Sequence, residues 1–416
     1  MTLIREAAAP ATTTVSVLGT PRLLAGVVEG GRVDLAHHRA LHGDLVLRRR
    51  TWLSGALHDV NLLGRGGAAF PVAAKLDAMP LGRVNIVVNG SEGEPASRKD
   101  RVLMTCAPHL VIDGAVVAAH ALGARDVTIV IHDAAAHESV RLAALERSDV
   151  AGMRIVRTHD GFVGGEIRSV INGLNGAAAI PGGRRTLPHV RGVGGAPSFA
   201  SNVETFAHLA LVALLGVDGY ARTGSTAEPG TSLLTLIGDV ATPGVVEVPN
   251  GVPLGMLFAG QPDAPVLIGG YHGTWVRGVA GLVVERASLR AAGSPLGAGV
   301  IARPYAGTCV LDEVVRVSRW LASESSGQCG PCFFGLPALS DDMAALAVGA
   351  GTDRLASLTR RVNLVRGRGA CAHPDGSVQF ISSAVRTLGD ELETHARHGS
   401  CGRPASTVLP LPAGGS

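Results

Sequence analysis

The sequence predicts an α/β fold: a parallel-sheet domain, then a small β domain, then a helical C-terminal bundle. Three observations carry this. Between residue 56 and about 225, β-branched runs alternate with stretches of helical periodicity, the pattern of a parallel sheet with right-handed crossovers. After the linker-like TGSTAEPG at 223–230 come short strands separated by Pro/Gly turns. From Asp312 onward apolar residues recur at intervals of three and four.

Taken in order, residues 1–55 read as a leader region of short amphipathic pieces, with a candidate strand at 12–17. The run RVNIVVN (83–89) is a strand buried on both faces and ends in a glycine loop. A helix at 109–122, a second buried strand at 126–132, a helix at 138–147 and a short strand at 154–158 complete the alternation. The apolar run 206–217 contains His208 and is too short to span a bilayer, so a buried helix is expected. Strands at 233–238, 245–248 and 266–269, with a glycine stretch at 297–300, make the small β unit. Helices are expected at 311–325, 339–348, 354–365, 378–388 and 391–398, with a Pro/Gly/Ser-rich mobile tail beyond Gly402. The expected domains are 1–55, 56–225, 226–303, 304–402 and a tail at 403–416.

Composition narrows the function classes. At 46% apolar residues the chain is not disordered, and 416 residues suffice for several cores. Only 3% are aromatic, against an aromatic-lined nucleic-acid platform, and 37 Lys+Arg against 34 Asp+Glu leaves no basic tail. No nucleic-acid partner is expected. The N-terminal MTLIREAAAPATTTV lacks an apolar signal core, so a cytoplasmic protein is expected. In a reducing compartment the 6 cysteines point to metal or redox chemistry rather than disulfides.

Four motifs could carry chemistry. Gly64-Arg65-Gly66-Gly67, with Phe70 and then Lys75, bares backbone N–H groups to a phosphate or planar ligand, and a surface turn is the competing reading. Asn89-Gly90-Ser91-Glu92-Gly93-Glu94 lies at a strand's carboxyl end, where α/β sheets bind ligands. Gly161-Phe162-Val163-Gly164-Gly165-Glu166 runs into a helix that Glu166 could simply cap. Cys329-Gly330-Pro331-Cys332 with Cys371 has the spacing of an iron–sulfur or zinc site. Cys309 lies across an expected helix from Cys329, and Cys401 could join only if the tail folds back. Ser326 stands where a C-x-x-C-x-x-C pattern places its first thiolate.

Together the motifs resemble the flavin- and NADH-binding subunit of respiratory complex I and its relatives in hydrogenases and formate dehydrogenases. The family's GRGGAGFPTGLKW stands here as GRGGAAFPVAAKL, and its NADESEPGSFKDR as NGSEGEPASRKDR. Its GAYICGEETALMNSLEG stands as GGFVGGEIRSVINGLNG, its GKPTTINNVET as GAPSFASNVET, and its ESCGKCTPCREG as ESSGQCGPCFFG. The late cysteine of FCPLAD is Cys371.

The resemblance implies a non-covalent FMN lined by Gly64, Arg65, Gly66, Gly67, Phe70, Lys75, Asn89, Glu92, Gly93, Glu94, Phe162, Gly165, Glu166, Asn202 and Thr205. Glu92 and Glu166 take the catalytic positions near ring or nicotinamide, and the β domain takes the family's β-grasp (SLBB-like) place. NAD(P)H is the implied electron donor. Cys329, Cys332, Cys371 and Ser326 are the implied ligands of a [4Fe–4S] or other iron–sulfur cluster with an atypical fourth ligand. A ferredoxin-type or other iron–sulfur electron carrier is the implied partner. The departures are Ser326, Ser91 and Ile167, with Ala78 and Leu187 at ring positions of the dinucleotide site; Arg185 and Thr186 belong to the same loop as Leu187. These departures leave two alternative expectations: a ferredoxin-linked FMN protein that does not bind NADH, or a non-catalytic subunit keeping the fold.

Overall fold

The computed structural model describes residues 3–5, 13–27, 31–158, 161–183, 187–260, 263–349 and 351–412. The chain begins with β1 (Leu3–Arg5) and β2 (Val15–Leu18), an antiparallel pair. The strand expected at 12–17 is β2; Thr12 lies outside the described residues. Helices α1 (Leu35–His42), α2 (Arg50–Asp59) and α3 (Val72–Asp77) follow, the first capped by Asp34, whose carboxylate accepts the His37 N–H at 2.8 Å.

The α/β domain runs β3 (Asn85–Gly90), α4 (Lys99–Cys106), α5 (Pro108–Leu122), β4 (Asp126–Ile131), α6 (Ala134–Leu145), β5 (Arg154–Arg157), α7 (Ile167–Leu174), β6 (Ser198–Asn202) and α8 (Val203–Ala221). Its four strands are all parallel in the order β5-β4-β3-β6. Ile86, Val87, Val88 and Ile129 are fully buried, as a β-branched run covered on both faces requires. Helices α5 and α8 touch through their backbones: a Cβ on Gly114 would stand 1.8 Å from the Phe206 carbonyl oxygen. Helix α8 is longer than the apolar run read from the sequence, 19 residues, and is long and apolar enough to cross a bilayer. It is 67% buried inside the fold, against α5 and the sheet.

Next come β7 (Thr231–Gly238), β8 (Gly244–Pro249), β9 (Val266–Ile268), β10 (Thr274–Val276), α9 (Arg286–Ala291) and β11 (Val300–Arg303). They form a mixed sheet with the start of the chain, in the order β1-β2-β8-β7-β11-β9-β10. The N-terminal segment is therefore not a separate unit. β2 runs parallel to β8, and the buried Glu247 carboxylate accepts the N–H groups of Leu23 (2.8 Å) and Leu24 (3.0 Å) and the Thr231 hydroxyl (2.7 Å).

Helices α10 (Val310–Ser323), α11 (Leu336–Ala347), α12 (Thr352–Val365), α13 (His373–Thr387) and α14 (Gly389–His398) make the C-terminal helical region, with a π-turn at Pro331–Gly335 before α11. The stretch expected as a mobile tail is packed as far as residue 412. Leu409 is fully buried and its N–H meets the Glu313 carboxylate, and the Tyr271 hydroxyl donates to the Pro410 carbonyl. Composition hid this, because one buried leucine and a few backbone bonds hold the segment. Residues 413–416 lie outside the described residues.

Candidate functional site

Three glycine-bearing loops meet at the carboxyl edge of the parallel sheet, where β3 and β6 place Asn89 beside Asn202 in register. The Asn89 side-chain amide donates to the Gly165 carbonyl at 2.8 Å. Loops 89–95 and 161–166 interlock so closely that a Cβ on Gly93 would stand 2.7 Å from the Phe162 oxygen, and one on Gly165 2.8 Å from the Ser91 oxygen. Glycine is needed at both because backbone lies against backbone. At the end of β6, Gly66 packs on Asn202, the Arg65 N–H donates to the Thr205 hydroxyl at 2.9 Å, and Gly64 bonds the Phe70 carbonyl. Lys75 donates to the Ala200 carbonyl at 2.9 Å, and burial holds its ammonium below the usual lysine range.

Several of the expected side chains are engaged inside the protein. The Arg65 guanidinium is 2.8 Å from Glu228, which also pairs with Arg286. Glu92 accepts the N–H groups of Asp100 (3.1 Å) and Arg101 (3.0 Å), capping α4. Glu94 accepts the N–H of Tyr271 at 2.8 Å, and burial pushes its carboxyl up to about 7 despite that bond. Thr205 and Asn202 bond each other at the start of α8, and Asn202 reaches Asp100 at 3.1 Å. Beneath them the buried Lys99 ammonium is bracketed by Asp100 (2.7 Å) and Glu204 (3.0 Å); burial opposes its charge, and the two carboxylates outweigh that and raise it. Phe70 and Leu187 are exposed. Arg185 and Thr186 lie outside the described residues.

One carboxylate oxygen remains open. Glu166 Oε1 pairs with Arg168 at 2.5 Å, but Oε2 is buried with no hydrogen-bond partner among the described residues. Beside this crossing is a cavity of about 330 Å³, in the range of small-molecule sites, lined by Ser91, Gly93, His132, Phe162 and Trp320 among others. Phe162 stands edge-on to Trp320, with ring centroids 5.1 Å apart, and its N–H donates to Glu324 at 3.0 Å. Trp320 and Glu324 come from the end of α10, so the cavity joins the sheet edge to the helical region. Sequence reading missed both, as nothing local marks them; His132, at the carboxyl end of β4, was open to the strand-end rule.

The thiols converge next to this junction. Cys329 Sγ and Cys332 Sγ are 3.4 Å apart where the chain enters the π-turn, a distortion often found at functional positions. Burial opposes ionisation of Cys332, and hydrogen bonds from the Gln328 backbone, Cys329 and Ser326 overcome it, so the thiol sits below its ordinary value. The Ser326 oxygen is buried beside Cys332. Burial pushes the Cys371 thiol up, and Cys332, Glu166 and Cys329 add to it electrostatically. Three thiols and a buried hydroxyl near one another fit an iron–sulfur cluster with one oxygen ligand. The glycine cradle, Lys75 and the open Glu166 oxygen fit a nucleotide with a phosphate and a polar ring. Cys309 and Cys401 do not join this group; the tail does fold back, but onto Cys309.

Residues 57–211 match the model of the Nuo51 FMN-binding domain, and residues 312–395 that of the NADH-ubiquinone oxidoreductase-F iron-sulfur binding region. The F subunit of NADH-quinone oxidoreductase in Mycobacterium tuberculosis (strain ATCC 25618 / H37Rv) is 30% identical over 384 residues, covering 82% of this chain and 84% of the relative. Its counterpart in Escherichia coli (strain K12) is 30% identical over 372 residues, covering 80% of this chain and 82% of the relative. Among solved structures, the NAD+-reducing [NiFe]-hydrogenase in the H2-reduced state superposes with a TM-score of 0.78 at 23% identity, over 91% of this chain and 67% of that one, a likeness of fold. With ordered motifs, sheet-edge cradle and thiol group in agreement, the chain belongs to the family of NADH-quinone oxidoreductase F subunits.

Proposed function

We propose that this chain is an oxidoreductase that passes electrons from NADH through FMN at the sheet edge to an iron–sulfur cluster, and on to an iron–sulfur partner protein. The observation that carries the reading is the adjacency of the two sites: Phe162, in the glycine loop that leads to Glu166, has its ring centroid 5.5 Å from that of His373, two residues beyond Cys371. Bound FMN supplies the exchange between a two-electron hydride donor and one-electron carriers.

The chain's own groups have distinct tasks. Backbone N–H groups of Gly66 and Gly67, with the Lys75 ammonium, would hold the phosphate. Asn89, Gly93 and Gly165 fix the loop crossing that would hold the ring, with Asn202 and Thr205 ordering the start of α8 beside it. Glu92 acts on position, capping α4 and so shaping the loop that carries Gly93. Glu166, whose Oε2 has no hydrogen-bond partner among the described residues, would offer an acceptor to the bound group. Phe162 and Trp320 close the cavity against water between the two sites. Cys329, Cys332, Cys371 and Ser326 would hold the cluster.

The β unit is proposed as a β-grasp (SLBB-like) domain. Its support is topology: within the sheet β8, β7, β11 and β9 stand in the order second, first, last, third, with β7 and β11 parallel at the centre. The proposed partner is of ferredoxin type.

The test is anaerobic reduction of the flavin- and iron-loaded protein, followed by visible and EPR spectra. NADH bleaching the flavin absorption and giving a cluster signal is the expected result. Reduction by ferredoxin but not by NADH would remove the nicotinamide part; colourless protein that releases no flavin on heating would remove the whole reading.

A further inference from the structure

We propose that Cys309, His395, Cys401 and Glu391 form a structural zinc site, separate from the iron–sulfur ligands, that fastens the C-terminal segment onto the helical region. One donor atom from each of the four lies within 4.8 Å of the others, and Cys309, Glu391 and His395 are buried. The Cys309 sulfur is 3.3 Å from His395 Nε2. Two donors on a tetrahedral zinc, with Zn–S of about 2.3 Å and Zn–N of about 2.0 Å, stand roughly 3.5 Å apart. The donors are therefore already near the spacing the ion needs.

Each donor is supplied by an independent feature of the fold. Cys309 is the N-cap residue of α10. Glu391 and His395 are four apart on α14 and share a face. Cys401 follows the Gly399 turn that ends α14. His395 Nδ1 is 2.6 Å from the Ala347 carbonyl, so it carries the proton and leaves Nε2 to accept a metal. Glu391 accepts the Leu311 N–H at 2.9 Å and pairs with Arg403 at 2.7 Å, as an oriented carboxylate ligand is held. With both thiols deprotonated on binding, two thiolates and a carboxylate beside one guanidinium would carry a double negative charge for a divalent cation to cancel. A set of two sulfurs, an imidazole nitrogen and a carboxylate oxygen suits zinc among the common divalent ions.

The site is distinct from the cluster. Cys309 starts α10 and Ser326 follows its end, and a helix of 14 residues separates them by about 20 Å. Beside the donors the tail runs alongside the start of α10: the Cys309 N–H donates to the Pro404 carbonyl at 2.7 Å and the Ser406 N–H to the Cys309 carbonyl at 3.1 Å. Further along, Pro412 forms part of the cavity wall near Phe162 and Trp320. An ion at Cys401 thus anchors the segment whose other end borders the flavin cavity.

The experiment is metal analysis of the full chain, expressed with iron and zinc supplied and purified anaerobically without a histidine tag. The expected result is about one zinc per chain in addition to the cluster iron, with zinc falling roughly ten-fold or more in Cys401→Ser and His395→Gln while iron and flavin stay. A readout independent of variant folding is cobalt exchange, which should give the intense thiolate-to-cobalt and tetrahedral ligand-field bands. A second is hydrogen exchange, which should quicken over residues 401–412 when a chelator strips the zinc. Wild-type protein with full iron and no zinc, zinc that survives in a Cys309→Ser/Cys401→Ser double variant, or a Cys309–Cys401 disulfide in metal-free protein would each overturn the proposal.

Discussion

The flavin end and the cluster end of this protein are built in opposite ways. At the sheet edge the surfaces offered to a ligand are mostly backbone. Gly93 and Gly165 admit no side chain, while Arg65, Glu92 and Glu94 turn inward to hold the loops to their neighbours. In the helical region the proposed donors are side chains themselves: three thiols and a hydroxyl on a π-turn and two loops. A cradle made of backbone is shaped by what lies behind it, whereas a cluster is made or lost with each donor. Side-chain changes should therefore act indirectly at the first site and directly at the second.

The largest expected effect is at the thiols. Cys332→Ala should lower bound iron roughly ten-fold or more while flavin content stays near wild type. Ser326→Cys sharpens the same point: it should keep the iron and shift the EPR signal of the reduced cluster, because a thiolate replaces an oxygen donor. An unchanged EPR spectrum in Ser326→Cys would mean that residue 326 is not a ligand. Behind the cradle, Glu228→Ala should destabilise the protein by about 3–5 kcal/mol in chemical denaturation, since the Arg65 and Arg286 charges are left buried without a partner. Flavin should be lost with stability in that variant, although Glu228 touches no expected ligand position other than Arg65. Gly165→Ala is smaller and more local. Its methyl would press on the Ser91 oxygen and Gly93 nitrogen, which should weaken flavin binding by roughly 2–3 kcal/mol, or about 30- to 160-fold, with iron unchanged.

The same contrast decides what could be read from the sequence. β3 and β4 were legible because a strand covered on both faces must be apolar throughout, and Ile86, Val88 and Ile129 are fully buried. The Cys329/Cys332 pair was legible because its geometry is set within one turn of chain. The inward turn of the Arg65 side chain was not, because its partner Glu228 lies 163 residues away. The N-terminal residues read as a leader because nothing local shows that β2 will lie beside β8. The tail after Gly402 read as mobile because composition cannot show that Leu409 will be buried, or that Cys401 will meet Cys309, Glu391 and His395. Local spacing shows in a sequence; convergence of distant segments does not.

Glu94 gives the smallest and most selective test of the cradle's inward-turned side chains. Burial raises its carboxyl from the ordinary 4.5 to about 7 in the folded protein. Between those two values the folded chain holds a proton that the unfolded chain has released, so stability falls as pH rises. The contribution of the protonated group is fully present below about 4.5 and is lost as pH passes through about 7. Glu94→Gln keeps the shape and removes the proton. At pH 8 the variant should be more stable than wild type by on the order of 1 kcal/mol, after allowing for the weaker bond that an amide oxygen accepts from the Tyr271 N–H. At pH 5 the difference should vanish or reverse. Thermal unfolding of both proteins across this pH range reads the crossing directly. Parallel curves would place the Glu94 carboxylate in contact with solvent or a cation, and with it return Glu94 to the ligand-facing side of the cradle.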